Sequence, residues 1–259
     1  MPEPLPPSSD PSQLRRPRIG LPFALLFGLT IAAQLVSLAL GRINTELSFA
    51  SMILPSVLAL SVITLPTIWI GLKVGPKVGL GAPRLNALLT GEPGSLKRLA
   101  EAVILAAVLG GALAGLLLVV RQVSMPYLPP EIPAYGHRGV IGGLAVSFGA
   151  AVAEEVWFRL GLVTFLVWGI TRLRNKTTPS AAIVWTVIVV CAVVFGAAHL
   201  PQLIAYGAGS SFAIGGTVLG NTAVGILYGW CYWKRGLLAA MAAHFSVDFV
   251  LHVLPAFWM

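Results

Sequence analysis

Charge is what this chain has least of. Only 10% of its 259 residues are Asp, Glu, Lys or Arg, against about 25% in a soluble domain. So few charges cannot clothe a water-facing surface, which excludes a soluble globular protein. Acidic groups are the scarcer sign, nine against seventeen basic. Cysteine is nearly absent too. Cys191 and Cys231 both lie in apolar stretches, which argues against a disulfide framework or a thiolate metal site and leaves two small buried hydrophobes. None of the four histidines sits in H-E-x-x-H, so one familiar zinc-hydrolase pattern is missing. G-x-S-G and G-x-G-D do not occur, and no internal repeat is visible.

Apolar sequence fills the space instead. The chain is 57% hydrophobic, with mean hydropathy +0.87. Hydrophobic runs near 20–40, 51–72, 100–120, 139–171, 181–200, 212–233 and 236–254 predict seven helices. At 1.5 Å per residue each crosses a layer of about 30 Å, the last only just. The fourth is too long for one upright crossing and must tilt, kink or project from the bilayer. The expected fold is therefore all-α, a polytopic transmembrane bundle of about seven spans. Residues 1–19 form a tail rich in Pro, Ser and acidic groups, expected to be disordered. Residues 20–138 supply N-terminal spans and loops, and 139–259 a core that holds most of the buried ionisable groups. The run from Gly20 to Leu40 is too long for a signal-peptide core and lacks an A-x-A site, so it reads as a retained span.

The net charge of +8 is spread in short clusters between hydrophobic runs, which argues against nucleic acid as a partner and for a lipid bilayer. Arg15, Arg16 and Arg18 precede the first run; Lys73, Lys77, Arg84, Lys97 and Arg98 fill the second connection. Arg172, Arg174 and Lys176 follow the fourth run, and Lys234 and Arg235 the sixth. The opposite side carries only Arg42, Arg121 and Arg138. The positive-inside rule then places the N-terminus in the cytoplasm and the C-terminus outside. Trp69, Trp168, Trp230 and Trp233 fall near the inner ends, as an aromatic belt would. The connection from Leu72 to Leu99 is expected to be an interfacial loop or a short amphipathic helix.

Against this background a few ionisable residues stand out. Glu154 and Glu155 sit side by side within an apolar run, where a carboxylate costs several kcal/mol unless paired, by about that order. Arg159 follows Glu155 by four residues, so the two share a helix face and can pair, either as scaffolding or as support for a site. Glu154 points about 100° away at 3.6 residues per turn and is expected to keep an environment of its own. His199 ends the run that begins at Phe195. His244 and Asp248 are again four apart and face one direction inside a membrane helix. His252 continues that face near the outer end, and His137 lies in a loop; both read as ordinary structural residues. One shared pocket inside the membrane would explain why three different helices bury such groups.

With these residues in hand, the chain resembles the CPBP family, the CAAX-protease and bacteriocin-processing intramembrane proteins. That family's pattern is E-E-x-x-x-R, F-x-x-x-H and H-x-x-x-N or D on successive membrane helices. Here it is matched by Glu154, Glu155 and Arg159, then Phe195 and His199, then His244 and Asp248. The resemblance covers roughly 139–254 and departs at the last position, where Asp stands in place of the common Asn. It implies an intramembrane endopeptidase without cofactor or metal. Glu154 and His199 would hold and deprotonate a water, and His244 with Asp248 would stabilise the oxyanion. Glu155, Arg159 and Phe195 would support them. The implied substrate is a protein or peptide, membrane-anchored in some cases, and the implied location is the plasma membrane of a prokaryote.

Other readings remain open at this level. A non-proteolytic immunity or adaptor protein could use the same scaffold, and a proton-coupled transporter also buries Glu and His. A zinc site from His199, His244 and a carboxylate is compatible by ligand type. Counting rise from the cytoplasmic helix ends puts His244 at about 12 Å, Asp248 at about 18 Å, Glu154 at about 25 Å and His199 at about 27 Å. A single pocket therefore demands tilt or different helix ends.

Overall fold

The computed structural model describes residues 19–41 and 48–258. Residues 1–18 of the expected disordered tail, which hold Arg15, Arg16 and Arg18, lie outside the described residues, as does Arg42. Among the described residues the chain is helical, with no strand. The helices are α1 (Gly20–Gly41), α2 (Phe49–Val74), α3 (Pro83–Leu89), α4 (Ser95–Ser124), α5 (Gly139–Glu154), α6 (Thr164–Leu173), α7 (Ala181–Ala197), α8 (Leu200–Ala205), α9 (Ser211–Arg235) and α10 (Leu237–Asp248). A π-helical stretch, Glu155–Val163, joins α5 to α6, and a second, Phe249–Val253, extends α10. Seven of the described segments are long and apolar enough to cross a membrane. They coincide with the seven predicted runs. The connection after the second span holds the short helix α3.

Local chemistry sets the starts of these helices. Ser48, Ser180 and Ser210 accept the backbone N–H of Ser51, Ile183 and Ala213 at 3.2, 3.3 and 3.2 Å, satisfying donors that a helix start leaves unpaired. Between α9 and α10 the chain reverses at Gly236, whose φ of +90° suits a residue without a Cβ.

The centre of the bundle is α10. Leu237, Ala239, Ala240, Ala243, His244 and Val247 are all buried, because α4, α5 and α9 surround the helix. Its small residues let neighbours come close. Gly110 of α4 lies directly against the backbone of Ala243, and Gly143 of α5 against that of His252. The α7–α9 pair is built the same way. Gly229 meets Ile188, Gly225 meets Ala192 and Phe195, and Gly196 meets Val218 and Thr222. Small residues four apart are how membrane helices approach without a hydrophobic drive between them. Large apolar side chains such as Leu54, Val62, Ile104 and Leu116 face outward, as a lipid solvent permits.

The fourth span combines two of the expected solutions. Thr164 Oγ1 donates to the Arg159 carbonyl five residues back, at 3.2 Å, which is the π spacing. It also bonds Tyr232 Oη at 2.6 Å near the end of α9. The rest of α6 therefore runs on past that level, by about 13 Å at 1.5 Å per residue, to the exposed Leu173. Depths counted from helix ends thus start from unequal ends. From the Tyr232 level Glu154 stands only about 15 Å up, and His244 about 10 Å beyond Leu237. His199 does sit higher, about 21 Å past Trp185, whose ring meets Trp233 edge-on at 5.8 Å.

Candidate active site

The end of α5, the first turn of the π stretch, α7, α9 and α10 meet around the imidazole of His244. Its Nδ1 donates to Glu155 Oε1 at 2.8 Å. Its Nε2 faces Glu154 Oε2 at 3.8 Å and Asp248 Oδ2 at 3.6 Å, both wider than a hydrogen bond. The ring is clamped from the sides by aromatics. Tyr228 stacks on it at 4.4 Å with planes 15° apart, and Phe195 meets it edge-on at 6.0 Å. Glu154 and Glu155 thus face the same imidazole from different surroundings. The two carboxylates leave the helix in different directions, yet an imidazole has a nitrogen on either edge and is wide enough to reach both.

Glu155 and Arg159 pair as their spacing predicts, Oε1 to Nη1 at 3.2 Å, and both are sealed from solvent. Arg159 Nη2 also donates to the Gly225 carbonyl at 3.1 Å, and its guanidinium lies 4.7 Å from the Phe195 ring centre and 5.2 Å from that of Tyr228. A cation over an aromatic face is stabilised by the ring quadrupole. Arg159 thus ties the π stretch to α9 and α7. The glutamates differ in access: the Glu155 side chain is 0% exposed and that of Glu154 26%. Glu154 is the more open of the two, although its Oε2, the oxygen that faces His244, is buried and without a hydrogen-bond partner among the described residues.

His199 stands one ring away from His244. Its Nδ1 donates to the Phe195 carbonyl at 2.8 Å, and its ring packs edge-on against Phe195 at 4.8 Å. A carbonyl only accepts, so Nδ1 carries the hydrogen and Nε2 is left as the free nitrogen of the neutral ring. Phe195 is accordingly the hinge of the cluster, touching His199, His244, Tyr228, Phe158 and Arg159. All seven motif residues gather here.

Three participants were not legible in the sequence. Tyr228 looks like any aromatic of a membrane helix until α9 folds back beside α10. Tyr232 accepts from the Gly81 backbone N–H at 2.8 Å and bonds Thr164, linking the loop before α3 to the π stretch. Ser147 of α5 is fully buried, and its hydroxyl has no hydrogen-bond partner among the described residues. With Gly143 against His252, one turn along the antiparallel pair sets Ser147 level with Asp248. Position 149, on the opposite side of α5, faces α1. An unpaired polar atom in an apolar span was the only available signal for Ser147, and serine is too common in such spans for it to count.

At the end of the bundle that carries Arg121 the cluster is roofed by Tyr135, whose ring meets His252 edge-on at 5.8 Å and lies under Arg121 at 5.1 Å. Burial pushes the Tyr135 phenol up more than Arg121 pulls it down, and Asp248 adds to the rise. His252 lies within electrostatic range of Asp248 and His244 and packs against Tyr135; His137 bonds its own loop at Ala134, 2.9 Å away. Cys191 and Cys231 are buried and unpaired. Among the described residues no three His, Cys, Asp or Glu side chains are placed to hold a metal ion.

Residues 137–250 match the family model described as type II CAAX prenyl endopeptidase Rce1-like. The match runs from two residues before α5 to two residues past α10, and so includes all seven motif residues and Tyr228. Neither the comparison with curated proteins nor that with solved structures yields a match. The family is one of proteases, and over residues 137–250 the chain is similar to its Rce1-like CAAX-endopeptidase domain.

Proposed function

We propose that this chain, an integral membrane protein carrying an Rce1-like domain, is an intramembrane endopeptidase that uses Glu154 as its base. The observation that carries the reading is the contrast between the two glutamates: Glu155 is sealed and spoken for by Arg159 and His244, while Glu154 is partly open and faces the free edge of the same imidazole. A water held between the Glu154 carboxylate and His199 Nε2 attacks the peptide carbonyl as Glu154 takes its proton. The carbonyl oxygen becomes an oxyanion, stabilised by Nε2–H of His244 in its imidazolium form, the form in which both ring nitrogens donate and Nδ1–H stays on Glu155, and by the carboxylic acid of Asp248 in its neutral form. When the tetrahedral species collapses, the C–N bond breaks and Glu154 returns the proton to the leaving amine. No covalent enzyme intermediate forms.

Glu155 fixes which edge of His244 faces the reaction, because its bond to Nδ1 leaves only Nε2 for the substrate. The substrate is a protein or peptide, and a membrane-anchored one is delivered to this depth by its own anchor. The test is purified protein against a peptide library, wild type beside Glu154→Gln. The substitution hardly changes volume, so the variant should insert and fold, and cleavage should vanish. Near-normal cleavage by Glu154→Gln would exclude water activation by this residue.

A further inference from the structure

At the end of the bundle that carries the basic clusters, a cavity of about 330 Å³ opens between α3 and the α9–α10 turn. Four cations line it, Arg84, Arg98, Lys234 and Arg235, with one carboxylate, Glu92. Glu92 is taken by Arg98, paired at 2.5 Å, and a second nitrogen of Arg98 bonds the Pro93 carbonyl. Arg84 donates to the Arg98 carbonyl at 3.2 Å, and its aliphatic stem lies over Gly236, immediately beside Arg235 in the chain. The Lys234 ammonium sits 3.5 Å from the centre of the Trp233 ring. Once Arg98 and Glu92 cancel, Arg84, Lys234 and Arg235 remain as three positive charges around one cavity.

Like charges gathered this closely repel, and an ordinary basic surface spreads them into water. Here they are held. Arg84 is anchored on a backbone carbonyl, Lys234 on an indole face, and the floor is pinned by the bond from Gly81 N–H to Tyr232. Such a site is complementary to an anion with several oxygens, which a guanidinium fork can take two at a time. Its place also matters. The Trp233–Trp185 pair at the same level has the character of interfacial aromatics, and basic pockets between membrane helices at the positively charged side suit lipid head groups.

We propose that this cavity is a binding site for the phosphate of an anionic membrane phospholipid, with Arg84 and Arg235 on the phosphate oxygens and Lys234 beside them. The site is distinct from the Glu154 cluster and does not depend on the protein's being a protease.

The experiment is native mass spectrometry of the full chain in detergent, titrated with phosphatidylglycerol, phosphatidylcholine or inorganic phosphate. Phosphatidylglycerol should be retained in preference to phosphatidylcholine. The double variant Arg84→Gln, Arg235→Gln should bind it about tenfold more weakly or worse. Arg84→Lys with Arg235→Lys keeps the charge but not the fork, so its affinity should fall between that of the wild type and that of the double Gln variant, which separates charge from folding. Lys176→Gln, an exposed cation outside the cavity, should change nothing. Equal retention of phosphatidylcholine, or an equal loss in Lys176→Gln, would overturn the site. Inorganic phosphate binding as tightly as the lipid would overturn the lipid as its occupant.

Discussion

His244 has two ring nitrogens and three carboxylates around them, and the division of labour among those carboxylates decides what each substitution does. Asp248 can donate to an oxyanion only when protonated, whereas Asn donates at any pH. Asp248→Asn should therefore preserve activity and weaken its pH dependence on the alkaline side, and Asp248→Ala should lose roughly 10²–10³ in turnover, the range for one oxyanion donor. A pH–rate profile of wild type and both variants checks this. An inactive Asn variant would mean that the negative charge is needed, and would move Asp248 to base or proton relay. Arg159→Ala leaves Glu155 buried with only His244 for company. A loss of about 3–5 kcal/mol is expected for breaking a buried pair, visible as low yield and a lowered unfolding temperature in detergent. The motif residues were readable because carboxylates and imidazoles in apolar runs demand partners. The bond between Glu155 and His244 was not, because spacing along one helix says nothing about which side chain of another helix arrives opposite.

At the scale of elements, the π stretch and the end of α9 act together. Tyr232 joins Gly81 to Thr164, and Thr164 caps the Arg159 carbonyl, so one hydroxyl network holds the stretch from which Glu155 and Arg159 project. Tyr232→Phe keeps the packing but leaves the buried Gly81 N–H without its acceptor and Thr164 with the Arg159 carbonyl alone. A cost of about 1–3 kcal/mol is expected, read from thermal unfolding. The close α7–α9 contact gives a second check. A leucine at Gly225 would drive into Ala192 and Phe195, pushing apart the two helices that deliver Phe195 and Tyr228 to the His244 ring. Gly225→Leu should therefore abolish activity together with stability, while Gly215→Leu, where no neighbour lies within reach of an added Cβ, should be tolerated. Helix identities were legible from hydrophobic run length. The π stretch was not, since its i→i+5 bonds arise where α2, α7 and α9 press on the helix, not from any residue pattern within it.

For the whole molecule, seven spans and the Rce1-like match make an integral membrane protein, and the distribution of Lys and Arg predicts which way it faces. Single cysteines introduced in a background lacking Cys191 and Cys231 test this. Lys176→Cys, in the loop after α6, should be labelled by an impermeant maleimide only from the cytoplasmic side, and His137→Cys only from the other. Labelling of the reverse pattern would invert the topology. In that case the cavity beside Arg84 would face the outer leaflet, and the lipid competition would have to be repeated with outer-leaflet lipids.

Composition and run length were enough to determine an all-helical membrane bundle, the number of its spans and the residues that would have to meet inside it. Those conclusions depend on transfer costs, and a transfer cost is a property of one side chain and its solvent. What only the tertiary structure decided was who meets whom: Glu155 rather than Asp248 bonding Nδ1 of His244, Tyr228 stacked on that ring, and Arg84 folded against the α9–α10 turn. These pairings follow from glycines that let helices approach and from where each helix ends relative to its neighbours. Both are set by packing between segments far apart in the chain, which no local pattern encodes.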